Sequence, residues 1–276
     1  MIKVRKFMDK NTLVIILAGF AGGFINTLAS SGSAITLPLL IFLGMSPDVA
    51  NGTNRVPIVA SSAVSLLTFH RAHVIDWRSG LLLTIPITLG SLAGAALAAN
   101  VPPQALGKFI IAAVAVALFL LLVKPGRWLR AQSAETFGVK VKWIHLLIFF
   151  GVGFWAGFIV LDSATYMLFA LVLGVGYDLI RANAVKALFL LFVSLSSLLI
   201  FYEHREVDWQ VGGALAIGSV FGGWAGARMA SREWAKVWVY RTLVIIVVAE
   251  VLHLIYSFFI KDDLIALRQI LDPRGP

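Results

Sequence analysis

The stretch HRAHVIDWRSG at residues 70–80 returns as HREVDWQVGG at 204–213. His70 and Arg71 match His204 and Arg205 at an offset of 134 residues, whereas Asp76, Trp77 and Gly80 match Asp208, Trp209 and Gly212 at 132, so one copy carries two extra residues. At that second offset Gly90, Ala93, Gly94, Ala95 and Ala98 match Gly222, Ala225, Gly226, Ala227 and Ala230. Upstream, GFAGGF at 19–24 pairs with GFWAGF at 153–158. Shared apolar composition accounts for the Gly/Ala matches but not for the H-R…D-W ones. The chain therefore reads as an internal duplication, the organisational feature to look for first.

Around that repeat lie 276 residues, 59% hydrophobic and 13% charged, with mean hydropathy +0.90. Soluble domains carry about 45–50% apolar and about 25% charged residues, so a soluble fold is excluded. Disorder is excluded by the same numbers. The formal charge of +9 rests on too few charged residues to line a nucleic-acid groove, so no nucleic-acid partner is expected. With no cysteine there is neither a disulfide framework nor a thiolate metal site; no metal and no cofactor are expected.

The reading is an all-α polytopic membrane protein. Apolar runs near the ~20 residues of a spanning helix fall at 12–29, 52–69, 79–99 and 107–123, then at 143–161, 184–202, 209–229 and 237–260. That predicts about eight transmembrane helices in two duplicated four-helix halves. Two shorter stretches, Ser33–Gly44 and Thr165–Gly176, suit broken or re-entrant segments. The divisions are a first repeat over 1–125, a basic linker over 126–142, a second repeat over 143–260 and a tail over 261–276. The basic N-terminus and following apolar run imitate a signal peptide, but the first segment has a mid-chain counterpart and is expected to be retained. With four crossings per half, fifteen of the 23 basic residues collect on one side. The positive-inside rule then puts both termini and the linker in the cytoplasm of a multi-pass cytoplasmic-membrane protein. Arg228, Arg232, Lys236 and Arg241 fall on the other side.

Polar groups at membrane depth are costly and tend to be functional. Asn26 through Ser33 forms a hydroxyl- and amide-rich break in which Ser30, Ser31, Gly32 and Ser33 are candidate substrate contacts. A break of this kind exposes a helix N-terminus that suits an anion. Its counterpart holds Asp162, Ser163 and Thr165. A second cluster, Asn51, Thr53, Asn54 and Arg55, corresponds to Asn183 and Lys186, with Arg55 and Lys186 at an offset of 131. Two cations near a pseudo-symmetry axis would attract an oxyanion, although each alone also suits interfacial snorkelling. Glu250, like Asp162, is a candidate proton carrier, because desolvation raises a carboxyl pKa. The Asp-Trp pairs read as helix caps with interfacial anchors rather than as catalytic groups. Gly90, Gly94, Gly222 and Gly226 stand at the spacing of close helix packing.

The order GFAGGFINTLASSGSAITLPLLIFLG at 19–44, NGTNR at 51–55, then the duplicated loop and Gly/Ala helix resembles the sulfite exporter TauE/SafE family. The resemblance runs from about Leu13 to Tyr256. It implies a non-enzymatic secondary transporter of a small sulfur-containing or organic anion, such as sulfite or an organosulfonate, with its site between the halves and alternating access. Where the family pattern implies a Gly-Gly break and a proline, the second half has LDSATYMLFALVLG at 161–174, with Asp162 and no proline. The partners so implied are a small anion and the lipid bilayer, with oligomeric state open, a homodimer included. No GxxxxGK[ST] phosphate loop is present. An intramembrane enzyme using the His/Asp loops and a non-transporting scaffold are the alternatives.

Overall fold

The computed structural model describes residues 2–28, 32–100, 141–159 and 163–235, and positions 237–242, 244, 245 and 248. Among these the chain is helical: α1 (Ile2–Leu28), α2 (Ser33–Phe42), α3 (Pro47–Thr53), α4 (Arg55–Arg71), α5 (Trp77–Ala98), α6 (Trp143–Phe158), α7 (Ser163–Phe169), α8 (Leu179–Glu203) and α9 (Trp209–Ala230). A π-helical turn, Ala170–Val175, extends α7. Two of them, α5 and α8, are long and apolar enough on their own to cross a bilayer; Thr12–Leu28 and α6 are shorter apolar helices. The expected spans at 107–123 and, for the most part, 237–260 lie outside the described residues, as does the linker before 141.

The local signals account for the helix ends. Asp76, Asp178 and Asp208 cap α5, α8 and α9, their carboxylates accepting from first-turn backbone N–H groups. Pro47 occupies the first turn of α3, where its missing N–H costs nothing. Gly44 after α2 and Gly176 after the π-helical turn both take positive φ, 88° and 95°. From Ser33 to Gly44 is eleven residues and from Ser163 to Gly176 thirteen. The π-helical turn is the place where a helix takes up such an excess.

Helix directions follow from which residues meet. In α1 and α9, Gly19 lies against Leu215, Gly23 against Ser219 and Gly222 against Phe20 and Phe24, so the two run parallel. In α5 and α6, Gly90 lies against Phe150 and Phe154, and Gly94 against Phe154 and Phe158, again parallel. α4 follows α9, with Gly212 beside Val56 and Gly223 beside Ser61, and α5 follows α8 from Gly80 beside Leu188 to Ser91 bonded to Ser197. Each α1–α9 and α5–α6 contact brings backbone onto backbone, which only a missing Cβ allows.

The two trios are opposed. Arg55 at the start of α4 packs its guanidinium over Phe201 near the end of α8, 5.5 Å from the ring centroid. At the other end Tyr177, just before α8, donates its hydroxyl to Asp76, just after α4, at 2.8 Å. α4 and α8 are therefore antiparallel, and so are α1 and α6. The loops 72–76 and 204–208 lie at opposite ends of the bundle.

The start of α1 and the start of α6 open at opposite ends of the described bundle, which departs from the expectation that the N-terminus and the end of the linker share one face. The charge count treats the first segment as a full crossing. In fact α1 stops at Leu28, and α2 runs back along it, Thr36 beside Gly22 and Leu40 in one cluster with Ile15.

The outer surface carries large apolar side chains, among them Leu17, Leu81, Ile85, Leu147, Leu199, Ile217 and Phe221, all exposed. Such a surface suits lipid. The interior holds an unusual polar set, with Asn51, Asn54, Arg55, Asn183 and Lys186 all buried.

Candidate functional site

A helix that ends inside a bundle leaves its last carbonyls without intrahelical partners. At the end of α1 these are met from α8. The Lys186 ammonium donates to the Asn26 carbonyl at 2.8 Å, to the Asn183 side-chain oxygen at 2.7 Å and to the Thr27 carbonyl at 3.4 Å. The Asn183 amide donates to the Leu28 carbonyl at 3.2 Å. The end of α6 is met in the same way from α3 and α4. Arg55 donates to the Ala156 carbonyl at 2.7 Å and to the Gly157 carbonyl at 3.2 Å, while the Asn51 amide donates to the Phe158 carbonyl at 3.4 Å. Each cation sits at the negative pole of a helix, 1% exposed.

The matched carbonyls differ by 130 residues: Asn26 and Ala156, Thr27 and Gly157, Leu28 and Phe158. The glycine contacts agree, since Gly23 faces Ser219 as Gly153 faces Ile87. The geometry thus pairs Gly23 with Gly153, one helical turn away from the pairing of GFAGGF with GFWAGF at an offset of 134.

Beside the end of α1 lies a small crevice of about 10 Å³, room for about one water molecule, partly open to the surroundings. Its wall includes Gly22 and Asn26 of α1, Gly32 and Ser33 at the start of α2, and Asn54 at the joint between α3 and α4. Thr36, Ser61 and Ser219 complete its polar lining. Asn54 is fully buried. Its side-chain oxygen accepts from the Thr36 hydroxyl at 2.6 Å, and its amide nitrogen has no hydrogen-bond partner. A buried, unpaired amide costs about 1–3 kcal/mol, so its presence on a cavity wall needs a reason.

Several expected residues converge here and others do not. Gly32, Ser33 and Asn54 line the crevice; Lys186 reaches it only through the carbonyl of the wall residue Asn26, and Arg55 is instead engaged at the end of α6. Thr53 instead accepts from the Asp208 N–H at 2.9 Å and ties down the 204–208 loop. Ser163 and Thr165 are buried at the start of α7, away from the crevice lining. Ser30, Ser31, Asp162 and Glu250 lie outside the described residues. Thr36, Ser61 and Ser219 went unselected because single hydroxyls in apolar helices are common. Ser61 donates to the Ile58 carbonyl of its own helix, whereas Ser219 of α9 donates across to the Pro57 carbonyl of α4.

The His/Asp loops form no common centre. Asp76 and Asp208 are helix caps at opposite ends, and His70 accepts from the Trp77 indole at 3.3 Å. No group of three or more His, Asp or Glu side chains is set to hold a metal among the described residues. At the loop 204–208, Glu206 is pushed up from the usual carboxylate range by burial and then by the neighbouring Asp48, with His204 opposing.

Comparison with known proteins agrees with this architecture. Residues 15–252 match the family model described as Sulfite exporter TauE/SafE. The chain is 29% identical over 221 residues to a "Probable membrane transporter protein" of Haemophilus influenzae, covering 78% of this chain and 84% of the relative. It is 28% identical over 239 residues to the "Probable membrane transporter protein YfcA" of Escherichia coli K12, covering 86% of each. To the "Probable membrane transporter protein YunE" of Bacillus subtilis it is 23% identical over 269 residues, 87% of this chain and 97% of the relative. No solved structure matches the chain. Broken apolar helices around a buried polar crevice, and a family match over most of the length, lead to one statement: the chain belongs to the sulfite exporter TauE/SafE family of membrane transporters.

Proposed function

We propose that the chain is a secondary transporter of a small oxyanion, sulfite or an organosulfonate, across the cytoplasmic membrane. The observation that carries this reading is the crevice beside the interrupted α1, where an unpaired buried amide meets the start of α2. A helix N-terminus offers N–H donors and a positive pole to an anion, and hydroxyl and amide groups replace the water it leaves behind. Lys186, bonded to the carbonyl of Asn26 on the crevice wall, supplies the nearest positive charge along the hydrogen-bond network.

The two halves are duplicated and inverted in this proposal. Support comes from the paired cation caps, the paired glycine contacts and the opposed directions of α4 and α8. Inverted repeats are a common transporter architecture, in which rocking of one half against the other gives alternating access to a site near the midplane. Asn183 and Arg55 as further substrate-facing groups, and Asp162 or Glu250 as proton carrier, belong to the same proposal. So do the second-half contacts Ser163 and Thr165.

The test is flux of labelled sulfite, sulfoacetate and simple carboxylates in proteoliposomes containing the purified chain. Saturable flux of at least one supports the reading. Turnover of a substrate without vectorial flux would favour an intramembrane enzyme, and neither would favour a scaffold.

A further inference from the structure

We infer that the bodies which move against each other are not the two repeats but two interleaved ones: α1 to α4 with α9, and α6 to α8 with α5. Each repeat has given its last described helix to the other body. This rests on the transporter reading above and deepens it by naming the boundary along which the chain opens.

Within each body, helices meet backbone to backbone. In the first, a Cβ on Gly218 would stand 2.7 Å from the Phe20 amide nitrogen, and one on Gly23 would stand 2.8 Å from the Ser219 Cα. In the second, a Cβ on Gly90 would stand 2.8 Å from the Phe154 amide nitrogen, and one on Gly157 would stand 2.8 Å from the Ser91 Cα. Helices this close cannot slide, because a shift along the axis drives the side chains flanking each glycine into the facing backbone. Buried hydroxyls bind a third helix to each pair. Ser219 of α9 donates to the Pro57 carbonyl of α4 at 2.8 Å, and Ser65 of α4 donates to the Gly223 carbonyl at 3.1 Å. Ser91 of α5 donates to the Val193 carbonyl of α8 at 3.1 Å. The short helices follow: Thr36 of α2 lies against Gly22, Thr53 of α3 holds the Asp208 N–H before α9, and Tyr166 of α7 meets Trp155 of α6 edge to face.

Across the boundary the contacts run through side chains. Arg55 of the first body reaches the Ala156 and Gly157 carbonyls of the second, and Lys186 of the second reaches the Asn26 and Thr27 carbonyls of the first. Ile58 and Phe69 of α4 share one apolar cluster with Val185 and Phe189 of α8. Side chains can change rotamer, so a layer of this kind can repack where a backbone contact cannot. Along the described chain from α1 to α9, the path passes between bodies at the loops 72–76 and 204–208. Each loop holds a non-glycine residue of positive φ, His73 at 56° and Arg205 at 58°, and these are the two such residues among those described. L residues adopt that conformation rarely. A few element-terminal residues that absorb changes in φ and ψ are what a hinge consists of, and these two stand at the two crossing points.

The chain has no cysteine, so engineered pairs report without background. A Cβ on Gly212 of α9 would stand 3.1 Å from the Val56 Cβ of α4, near the roughly 3.8 Å of a disulfide. These residues belong to different repeats and to one body. In proteoliposomes, Val56→Cys/Gly212→Cys should carry labelled sulfite, sulfoacetate or acetate at rates within twofold before and after oxidation, the reduced protein serving as the folding control. Spin labels on Leu17→Cys and Phe221→Cys, exposed positions of one body and two repeats, should keep their distance when the carried anion is added. Labels on Leu17→Cys and Leu81→Cys, of one repeat and two bodies, should shift by more than about 2 Å. Flux lost on oxidation and restored by reduction, a comparable shift of the Leu17–Phe221 pair, or flux with the Leu17–Leu81 pair unmoved would each overturn the interleaved bodies and leave the transporter reading standing. A wild type that carries none of these anions would remove the transporter reading itself, and the motion with it.

Discussion

Replacing Gly94 by alanine is the sharpest packing test, because the structure supplies both the clash and its control. A Cβ on Gly94 would meet the carbonyl group of Phe154, with the carbonyl carbon at 2.8 Å and the Phe158 amide nitrogen at 2.9 Å. Ordinary contact begins at 3.4 Å, so α5 and α6 would have to separate by more than half an ångström. The atoms met are backbone and cannot turn aside. Overpacking of this kind costs about 1–3 kcal/mol, against which alanine returns at most about 1 kcal/mol of helix propensity. Gly151→Ala is the control: nothing lies within 4 Å of its Cβ position, so only the gain in propensity remains. Unfolding in detergent, followed by the fluorescence of the eight tryptophans, should rank Gly151→Ala at or above wild type and Gly94→Ala below it. The two should differ by about 1–3 kcal/mol or more. Equal stability of the two variants would refute the close parallel packing of α5 on α6 and the helix directions drawn from it.

The other predictions address the caps, the sidedness and the loops. Lys186→Met should lower stability by about 2–5 kcal/mol, because the Asn26 and Thr27 carbonyls lose their partner in the interior; denaturant midpoints read this, and an unchanged midpoint would mean that the cap is incidental. Because the chain has no cysteine, Ala72→Cys and Glu203→Cys can be made singly in the natural background. An impermeant maleimide should label one and not the other from outside the cell, and labelling of both from one side would contradict the opposed directions of α4 and α8. For Glu206 the raised value means that the folded chain keeps a proton the unfolded chain releases. The stability present in acid is therefore lost as pH rises through that raised value, and Glu206→Gln should flatten this decline in a pH series of melting temperatures.

The caps and the breaks were readable in the amino-acid order. Asp76-Trp77 and Asp208-Trp209 behave as the helix starts their chemistry dictates, and the polar run from Asn26 marks the true end of α1. The register of α1 against α6 was not readable. Glycines recur there every fourth residue, about one helical turn, so a slip of one turn keeps small residues on the same face. Only the carbonyls chosen by Arg55 and Lys186 fix it. Sidedness was not readable because hydropathy does not distinguish a helix that turns back from one that crosses. The crevice was half visible: Asn54 stands in a recognisable polar cluster, but Thr36, Ser61 and Ser219 join it only through folding of α2, α4 and α9 around α1.

Counterflow of labelled sulfite into sulfite-loaded proteoliposomes tests the central claim most directly. The account predicts saturable counterflow for the wild-type chain and its loss in Asn54→Val at unchanged protein stability. No saturable counterflow of sulfite, sulfoacetate or a simple carboxylate by the folded wild type would contradict it.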